Sequence, residues 1–310
     1  MKRALVTGGA GFIGSHLSAA LLQQNIEVVV LDNLSVGRKE NLPEGVEFIQ
    51  GDILNSTVVN QAFQGVDVVF HLAAKVSIRG SVENFFDDAE QNVMGTLSVL
   101  RGLKISNAGQ FIFASSMAVY DDRSDPVPIG EDYSKTPRSP YGISKLCCEN
   151  YIISICGMLG IKANVLRYFN TYGTRQTYSP YVGVITIFAR RLLNGNRPTI
   201  FGDGNQNRDF VSVKDIVQAN LLVMNSNECA NIYNVGTSKA TSVNEISKIL
   251  CRIIDPSIRP EYGENRSEEL RNSIADITAI RRDLAYEPKS DINCDLEDVV
   301  DYIRSTLPTT

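Results

Sequence analysis

The segment Thr7-Gly8-Gly9-Ala10-Gly11-Phe12-Ile13-Gly14 lies directly after a short apolar run, residues 4–7, and directly before a helical pattern, residues 15–24. A glycine cluster at a strand-to-helix junction constrains this chain more than any other feature. Glycine there permits a tight turn and lets a pyrophosphate approach the backbone, where the N–H groups and positive dipole of the helix start meet its charge. Two registers are open: Gly9, Gly11 and Gly14 give G-x-G-x-x-G, while Gly8, Gly11 and Gly14 give G-x-x-G-x-x-G. Such turns recur for purely structural reasons, so the weight of the motif comes from its surroundings.

Those surroundings alternate. β-branched runs at residues 28–32, 47–49, 66–71, 111–115 and 163–167 are interleaved with helical patterns at 57–63, 90–103 and 140–159. Strand, helix and strand in series imply right-handed crossovers, and hence an α/β, doubly wound parallel sheet of Rossmann type. Beyond Asn170 the rhythm loosens into a Tyr/Pro/Gly-rich stretch, 171–183. A helix at 184–193, a strand at 199–201, a strand–helix unit at 210–224, a strand at 232–235, a helix at 243–254, a charged loop at 264–271 and a last helix at 296–307 follow. The expected division is a dinucleotide-binding domain over 1–170, rejoined by 209–236, and a smaller mixed α/β substrate domain from 171–208 and 237–310. A length of 310 residues suits two domains of about 150 each.

A formal charge of -5 provides no general field for nucleic acid or an anionic membrane, so an anionic ligand has to be held by local donors. No stretch reaches the roughly 18 uninterrupted apolar residues of a membrane helix. The apolar run after Lys2 and Arg3 stops at Thr7-Gly8-Gly9, which argues against a secretion signal. Six cysteines without a C-x-x-C pair fit free thiols in a reducing cytoplasm. Two histidines, His16 and His71, exclude a histidine-rich metal site.

The strand ends carry the chemistry. Asp32 closes the second strand eighteen residues beyond Gly14, where a carboxylate accepts hydrogen bonds from adenosine ribose hydroxyls and repels a 2′-phosphate, favouring NAD over NADP. Arg38 is close by and reads as a solvated loop residue. Gly51-Asp52-Ile53 and His71-Leu72-Ala73-Ala74 end the third and fourth strands, and Ser115-Ser116 the fifth, on the rim where open α/β sheets bind ligands. Tyr141 comes twenty-five residues after Ser116, and Lys145 follows it. Ser139 can cap a helix with Pro140 at its first position, so Tyr141 and Lys145 fall i, i+4 on one face. A phenol is a poor base at neutral pH, but an adjacent ammonium and a cationic nicotinamide both favour the phenolate.

With these residues in this order, the chain resembles the extended short-chain dehydrogenase/reductase family, and within it the nucleotide-sugar 4-epimerases. The likeness also takes in Asp32-Asn33-Leu34-Ser35, Asn92, Leu166-Arg167-Tyr168-Phe169-Asn170, Phe201-Gly202-Asp203-Gly204 and Arg208-Asp209-Phe210-Val211, and runs nearly the whole length. It implies NAD as cofactor, held by Gly8, Gly11, Phe12, Ile13, Gly14, Asp32, Asn33, Ser35, Gly37, Asp52, Ile53, Leu72, Ala73, Ala74, Asn92, Ser115, Tyr141, Lys145 and Phe169. It implies Ser116, Tyr141 and Lys145 as the catalytic set. For a UDP-sugar it implies Lys75, Ser116, Tyr141, Asn170, Phe201, Arg208, Arg266 and Ser273, with Tyr172, Thr174 and Tyr178 as further candidates around the sugar.

The expected reaction is reversible C4 epimerisation of a UDP-hexose, UDP-glucose and UDP-galactose or their N-acetyl forms, through a transient 4-keto sugar. UDP-glucuronate 4-epimerisation or another nucleotide-sugar oxidoreduction is the alternative, and a non-catalytic NAD-responsive binding protein is the alternative of a different class. Met117 and Ala118 stand where sugar dehydratases and decarboxylases of this family carry an acidic residue, which leaves plain redox at one carbon. Asp121 replaces the glycine usual after Val119-Tyr120, so the adjoining loop is expected to differ. Apolar residues on more than one face of the helices at 90–103 and 140–159 fit the homodimer that the resemblance implies.

Overall fold

The computed structural model describes residues 2–122, 125–179, 183–264 and 271–307. Its first half builds β1 (Arg3–Thr7), α1 (Phe12–Gln23), β2 (Glu27–Asp32), β3 (Glu47–Gln50), α2 (Ser56–Ala62) and β4 (Val68–His71). Then come α3 (Ile78–Glu83), α4 (Phe85–Ala89), a π-helical turn (Glu90–Met94), α5 (Gly95–Gly102), β5 (Gln110–Ser116), α6 (Pro140–Leu159) and β6 (Lys162–Tyr168). The second half adds β7 (Asn170–Tyr172), α7 (Val184–Leu193), β8 (Thr199–Phe201), β9 (Asn207–Arg208), β10 (Phe210–Ser212), α8 (Val213–Asn225) and β11 (Asn231–Val235). It closes with β12 (Thr241–Ser242), α9 (Val243–Ile254), β13 (Glu261–Gly263), β14 (Asn272–Ser273), α10 (Thr278–Leu284) and α11 (Ile292–Thr306).

Seven parallel strands form the main sheet in the order β11-β6-β5-β4-β1-β2-β3. Helices cover both faces, which is why Ala4, Leu5 and Val6 are all fully buried and β1 reads as an unbroken apolar run. Leu17 and Leu21 of α1, Ile216 and Val223 of α8 and Ile280 of α10 share one core. Val59 of α2, Val99 and Leu100 of α5 and Ile152 of α6 belong to the other. A third core gathers Phe188 of α7, Leu250 of α9 and Val300 of α11 in the second half. Ile277, Leu284 and Tyr286 lie in the first of these cores, so the chain returns to the large sheet again after β14.

From β1 the strand order runs to β2 and β3 on one side and to β4 and β5 on the other. The crevice at the carboxyl ends of β1 and β4 is therefore the switch point at which such sheets bind ligands. The helical pattern at 90–103 is not one helix. Thr96 donates to the Asn92 carbonyl at 2.6 Å beside the π-helical turn, and α5 begins only at Gly95. A π-turn of this kind often marks a functional region. The last helix starts at Ile292, one turn before the expected 296, because the Asp291 side chain caps it by accepting from the Asn293 amide.

Candidate active site

The glycine loop resolves the two registers. Gly8 has φ +70°, its amide donates to Leu31 O at 2.8 Å, and its carbonyl accepts from Gly11 N at 3.1 Å. A Cβ on Gly14 would fall 2.2 Å from Gly8 O. Gly8, Gly11 and Gly14 are thus the backbone's own spacing, while Gly9 makes room for the Val30 side chain. Gly11 is the N-cap of α1, with no side-chain cap and no acidic residue in the first turn. The N–H groups at that helix start remain available to an anion.

The nucleotide rim is stitched together by its own side chains. Asp32 is buried and accepts from Ala10 N at 3.0 Å and Leu34 N at 2.8 Å. Asn33 donates to Asp52 at 2.9 Å and accepts from Ser35 N at 3.0 Å, and Gly37 packs directly on Ala10. Leu72 N donates to Thr7 O, and Ala73 N to the Thr7 hydroxyl, laying that loop against Gly8. A strap from the second half crosses the same rim. Gly173 packs on the Phe12 ring, His16 Nε2 meets Thr174 O at 3.2 Å, Arg175 donates to Asn41 O, and Thr177 donates to Val36 O.

On this side the Ile53 side chain is buried against Gly95. Asn92 is buried with both amide N–H groups committed, to Lys75 O and Asp88, while its oxygen accepts from Lys75 N at 2.8 Å. It holds the 73–75 loop in place. Lys75 itself is ion-paired with Asp87.

At the chemical end, Ser139 caps α6 by accepting from Gly142 N, with Pro140 in the first turn, as the spacing predicts. Tyr141 is buried, its amide donates to the Ser81 hydroxyl at 3.1 Å, and its phenol is hydrogen-bonded to Ser116. Burial pushes the phenol up to about 12 against the lowering effect of the Ser116 hydrogen bond. Lys145 is buried with its ammonium donating to Ala114 O at 2.8 Å, 4.7 Å above the Phe113 ring and 5.9 Å from the Tyr141 ring centre. Burial brings the lysine down to about 8. Removal from water thus disfavours the charged form of both groups, the phenolate and the ammonium.

Ser115 is buried at the end of β5. Its hydroxyl donates to Glu149 at 2.5 Å, and Glu149 is locked to the fully buried Arg167 by bonds of 2.9 and 2.6 Å. Arg167 in turn donates to the Tyr120 hydroxyl at 2.8 Å. This buried pair ties β5, α6 and β6 together directly behind Ser116. His71 performs a similar service under the glycine loop. Thr96 donates to the Asn92 carbonyl, so its oxygen accepts from His71 Nε2 at 3.0 Å, and Nδ1 then accepts from the Thr7 hydroxyl at 2.7 Å. Burial holds the ring neutral, at about 3.

In the second half, Asn170 N donates to Asp209 O and Asp209 N to Ser273 O, and Arg208 pairs with Ser273 between β9 and β14. The Asn170 side-chain oxygen and the Ser273 hydroxyl are buried without a partner, and Arg208 donates to Asn207 O at 2.8 Å. Orphaned buried polar atoms beside an arginine are what a polar ligand would satisfy. Phe201 lies half-buried at the end of β8, and Phe169 is buried after β6. Arg266 lies outside the described residues. Tyr172 belongs to the third core with its hydroxyl on Asp295, Thr174 is taken by His16, and Tyr178 lies under Arg190 at 4.4 Å.

A family profile described as the NAD dependent epimerase/dehydratase family matches residues 4–236. The chain belongs to that family. A UDP-glucose 4-epimerase from Thermotoga maritima, solved with UDP-glucose, is 38% identical, with a TM-score of 0.94 over 98% of this chain and 99% of that one. A UDP-N-acetylglucosamine 4-epimerase from Methanobrevibacter ruminantium, solved with UDP-N-acetylmuramic acid, is 35% identical, with a TM-score of 0.93 over 99% of both chains. A UDP-glucose 4-epimerase of Mycolicibacterium smegmatis is 32% identical over 98% of this chain and 99% of its own. UDP-glucuronic acid 4-epimerases and decarboxylases also number among the relatives.

For an NAD-dependent epimerase/dehydratase the residues present fit the cofactor. The close-packed Gly8–Gly14 turn, the uncapped start of α1 and the acidic end of β2 are the donor set a dinucleotide uses. Sequence reasoning missed the Glu149–Arg167 pair, the His71 relay, Ser81 and Asp88. Only Glu149 left a signal, one turn beyond Lys145 on the same helix, where a buried carboxylate demands a partner.

Proposed function

We propose that the protein catalyses reversible C4 epimerisation of a UDP-hexose, either UDP-glucose and UDP-galactose or their N-acetyl forms. The observation that carries this reading is the meeting of the Ser116 hydroxyl, the Tyr141 phenol and the Lys145 ammonium at the carboxyl end of β5, beside the glycine loop. NAD, when bound, supplies the hydride acceptor that makes oxidation at C4 reversible. Tyr141 takes the proton of the 4-hydroxyl, and Ser116 steadies the same oxygen by hydrogen bonding. Lys145 spends one N–H on Ala114 O and keeps two for a ribose hydroxyl pair. A 4-keto sugar results, and inversion requires the sugar to present its other face before reduction. The anchored part of the substrate must then be its diphosphate, for which Asn170, Arg208 and, by resemblance, Arg266 are the holders. Met117 and Ala118 place no carboxylate beside the keto intermediate, so dehydration and decarboxylation lack their acid/base.

The active unit in this reading is a homodimer working in a reducing compartment, where all six cysteines stay free. The test is to incubate the purified protein with UDP-glucose, UDP-N-acetylglucosamine and UDP-glucuronate, without added NAD, and identify the products. Formation of C4 epimers, abolished by Tyr141→Phe, is the expected result. Release of carbon dioxide or net oxidation of NADH would assign other chemistry, and the absence of any product would favour a binding protein.

A further inference from the structure

Asp88 of α4 is a buried carboxylate, 1% exposed, that makes no ion pair among the described residues. Its two oxygens accept from the Ser144 hydroxyl at 2.6 Å and from the Asn92 amide at 3.0 Å. Ser144 stands between Tyr141 and Lys145 on α6, and Asn92 belongs to the π-helical turn that fixes the 73–75 loop. Lys145 is buried as well, and among the described residues its direct partners are the Ala114 carbonyl and the aromatic rings. A buried charge without an opposite charge nearby is strongly unfavourable. Here α4 packs against α6, and Asp88 is bonded across that contact to Ser144, the residue before Lys145.

We infer that Asp88 is a positioning residue for the proposed reaction: it ties α6 to the π-helical turn and supplies the buried negative charge facing the Tyr141–Lys145 pair. This rests on the epimerase reading above. The charge acts on both members, favouring the ammonium of Lys145 and disfavouring the phenolate of Tyr141. Cys148 acts in the same direction on both members and Glu149 on Lys145, but both are already committed elsewhere. Glu149 is spent on Arg167 and Ser115, Cys148 donates to Asn92 O, and His71 on β4 is neutral. Arg79 and Glu83 on α3, Glu90 in the π-helical turn and Arg101 on α5 are exposed to solvent.

Two variants separate tether from charge. Asp88→Asn keeps the shape and removes the charge, while Ser144→Ala cuts one strand of the tether and leaves the charge. Without the carboxylate, Lys145 loses its proton at lower pH and Tyr141 ionises at lower pH, so both limbs of the pH profile of kcat move down. Asp88→Asn should also lower kcat at pH 8 by about tenfold while leaving the UDP-sugar KM within about twofold. Ser144→Ala should lower kcat without moving either limb. Amide hydrogen exchange should quicken at residues 90–96 and 141–148 in both. Limbs that stay in place in Asp88→Asn, or that move equally in Ser144→Ala, would overturn the charge assignment, and unchanged exchange in both would overturn the tether. If the parent protein turns over no nucleotide sugar, the epimerase reading fails on its own, and the exchange measurement still decides whether Asp88 holds α6.

Discussion

The phenol of Tyr141 is caught between two opposing influences. Burial pushes it up to about 12, and the hydrogen bond with Ser116 favours its ionised form. Replacing Ser116 by Ala therefore removes a stabiliser of the phenolate, and Tyr141 titrates at higher pH. The acid limb of the kcat profile should move upward, with kcat at pH 7 reduced by about 100-fold. An unmoved acid limb in Ser116→Ala would show that this hydrogen bond does not tune the base. The alkaline side follows Lys145, which burial brings to about 8, so activity that depends on the ammonium fades as pH rises through that value. The identity of the pair was legible in the sequence because i, i+4 spacing and a capping serine are local facts. Its ionisation was not, because the burial of Tyr141 and Lys145 is made by Ser81, Asp88 and Phe113, which come from other segments.

Among the elements, the glycine turn and α1 act as one piece. Gly14 lets the first turn of α1 lie against Gly8, where a Cβ would fall 2.2 Å from a carbonyl oxygen that the backbone cannot move without disturbing the Gly8–Leu31 bond. Gly14→Ala should cost about 1–3 kcal/mol of stability, the range of overpacked sites. Because it displaces the helix start, it should also weaken NAD binding, so that added NAD raises the melting temperature less than in the parent. A melting temperature and NAD response equal to the parent's would show that the turn tolerates the methyl group. The central strands β1, β2 and β4 were readable from sequence because they are buried on both faces and thus nearly continuously apolar. The break at the π-helical turn was not, because nothing local distinguishes Asn92 from any other helical residue. What sets it apart is its pairing with the Lys75 backbone, seventeen residues away.

At the scale of the whole molecule, one surface remains to be explained. Opposite its buried face, α6 presents Ile143, Cys147, Tyr151, Ser154 and Met158 along a single stripe, and Met158 is 82% exposed. The adjoining segment adds Met94 and Ile105, exposed at 55% and 62%. Exposed apolar side chains spaced along one face of α6, with Met94 and Ile105 on the neighbouring segment, are more than scattered surface hydrophobics and suit a self-complementary partner. In the proposed homodimer, α5 and α6 of one subunit pack on their counterparts, burying the backs of the helices whose inner faces carry Asn92, Tyr141 and Lys145. Tyr151→Asp combined with Met158→Asp brings like charges together across the twofold axis, whichever of the two positions meet, without touching the cleft. Light scattering should then give the mass of one chain where the parent gives two. A parent that is already monomeric, or a double variant that still pairs, would mean that α5 and α6 do not form the interface. The monomer should bind NAD and yet turn over more slowly, because α6 loses the support on its outer face while its inner face still has to hold a buried ammonium and a buried phenol.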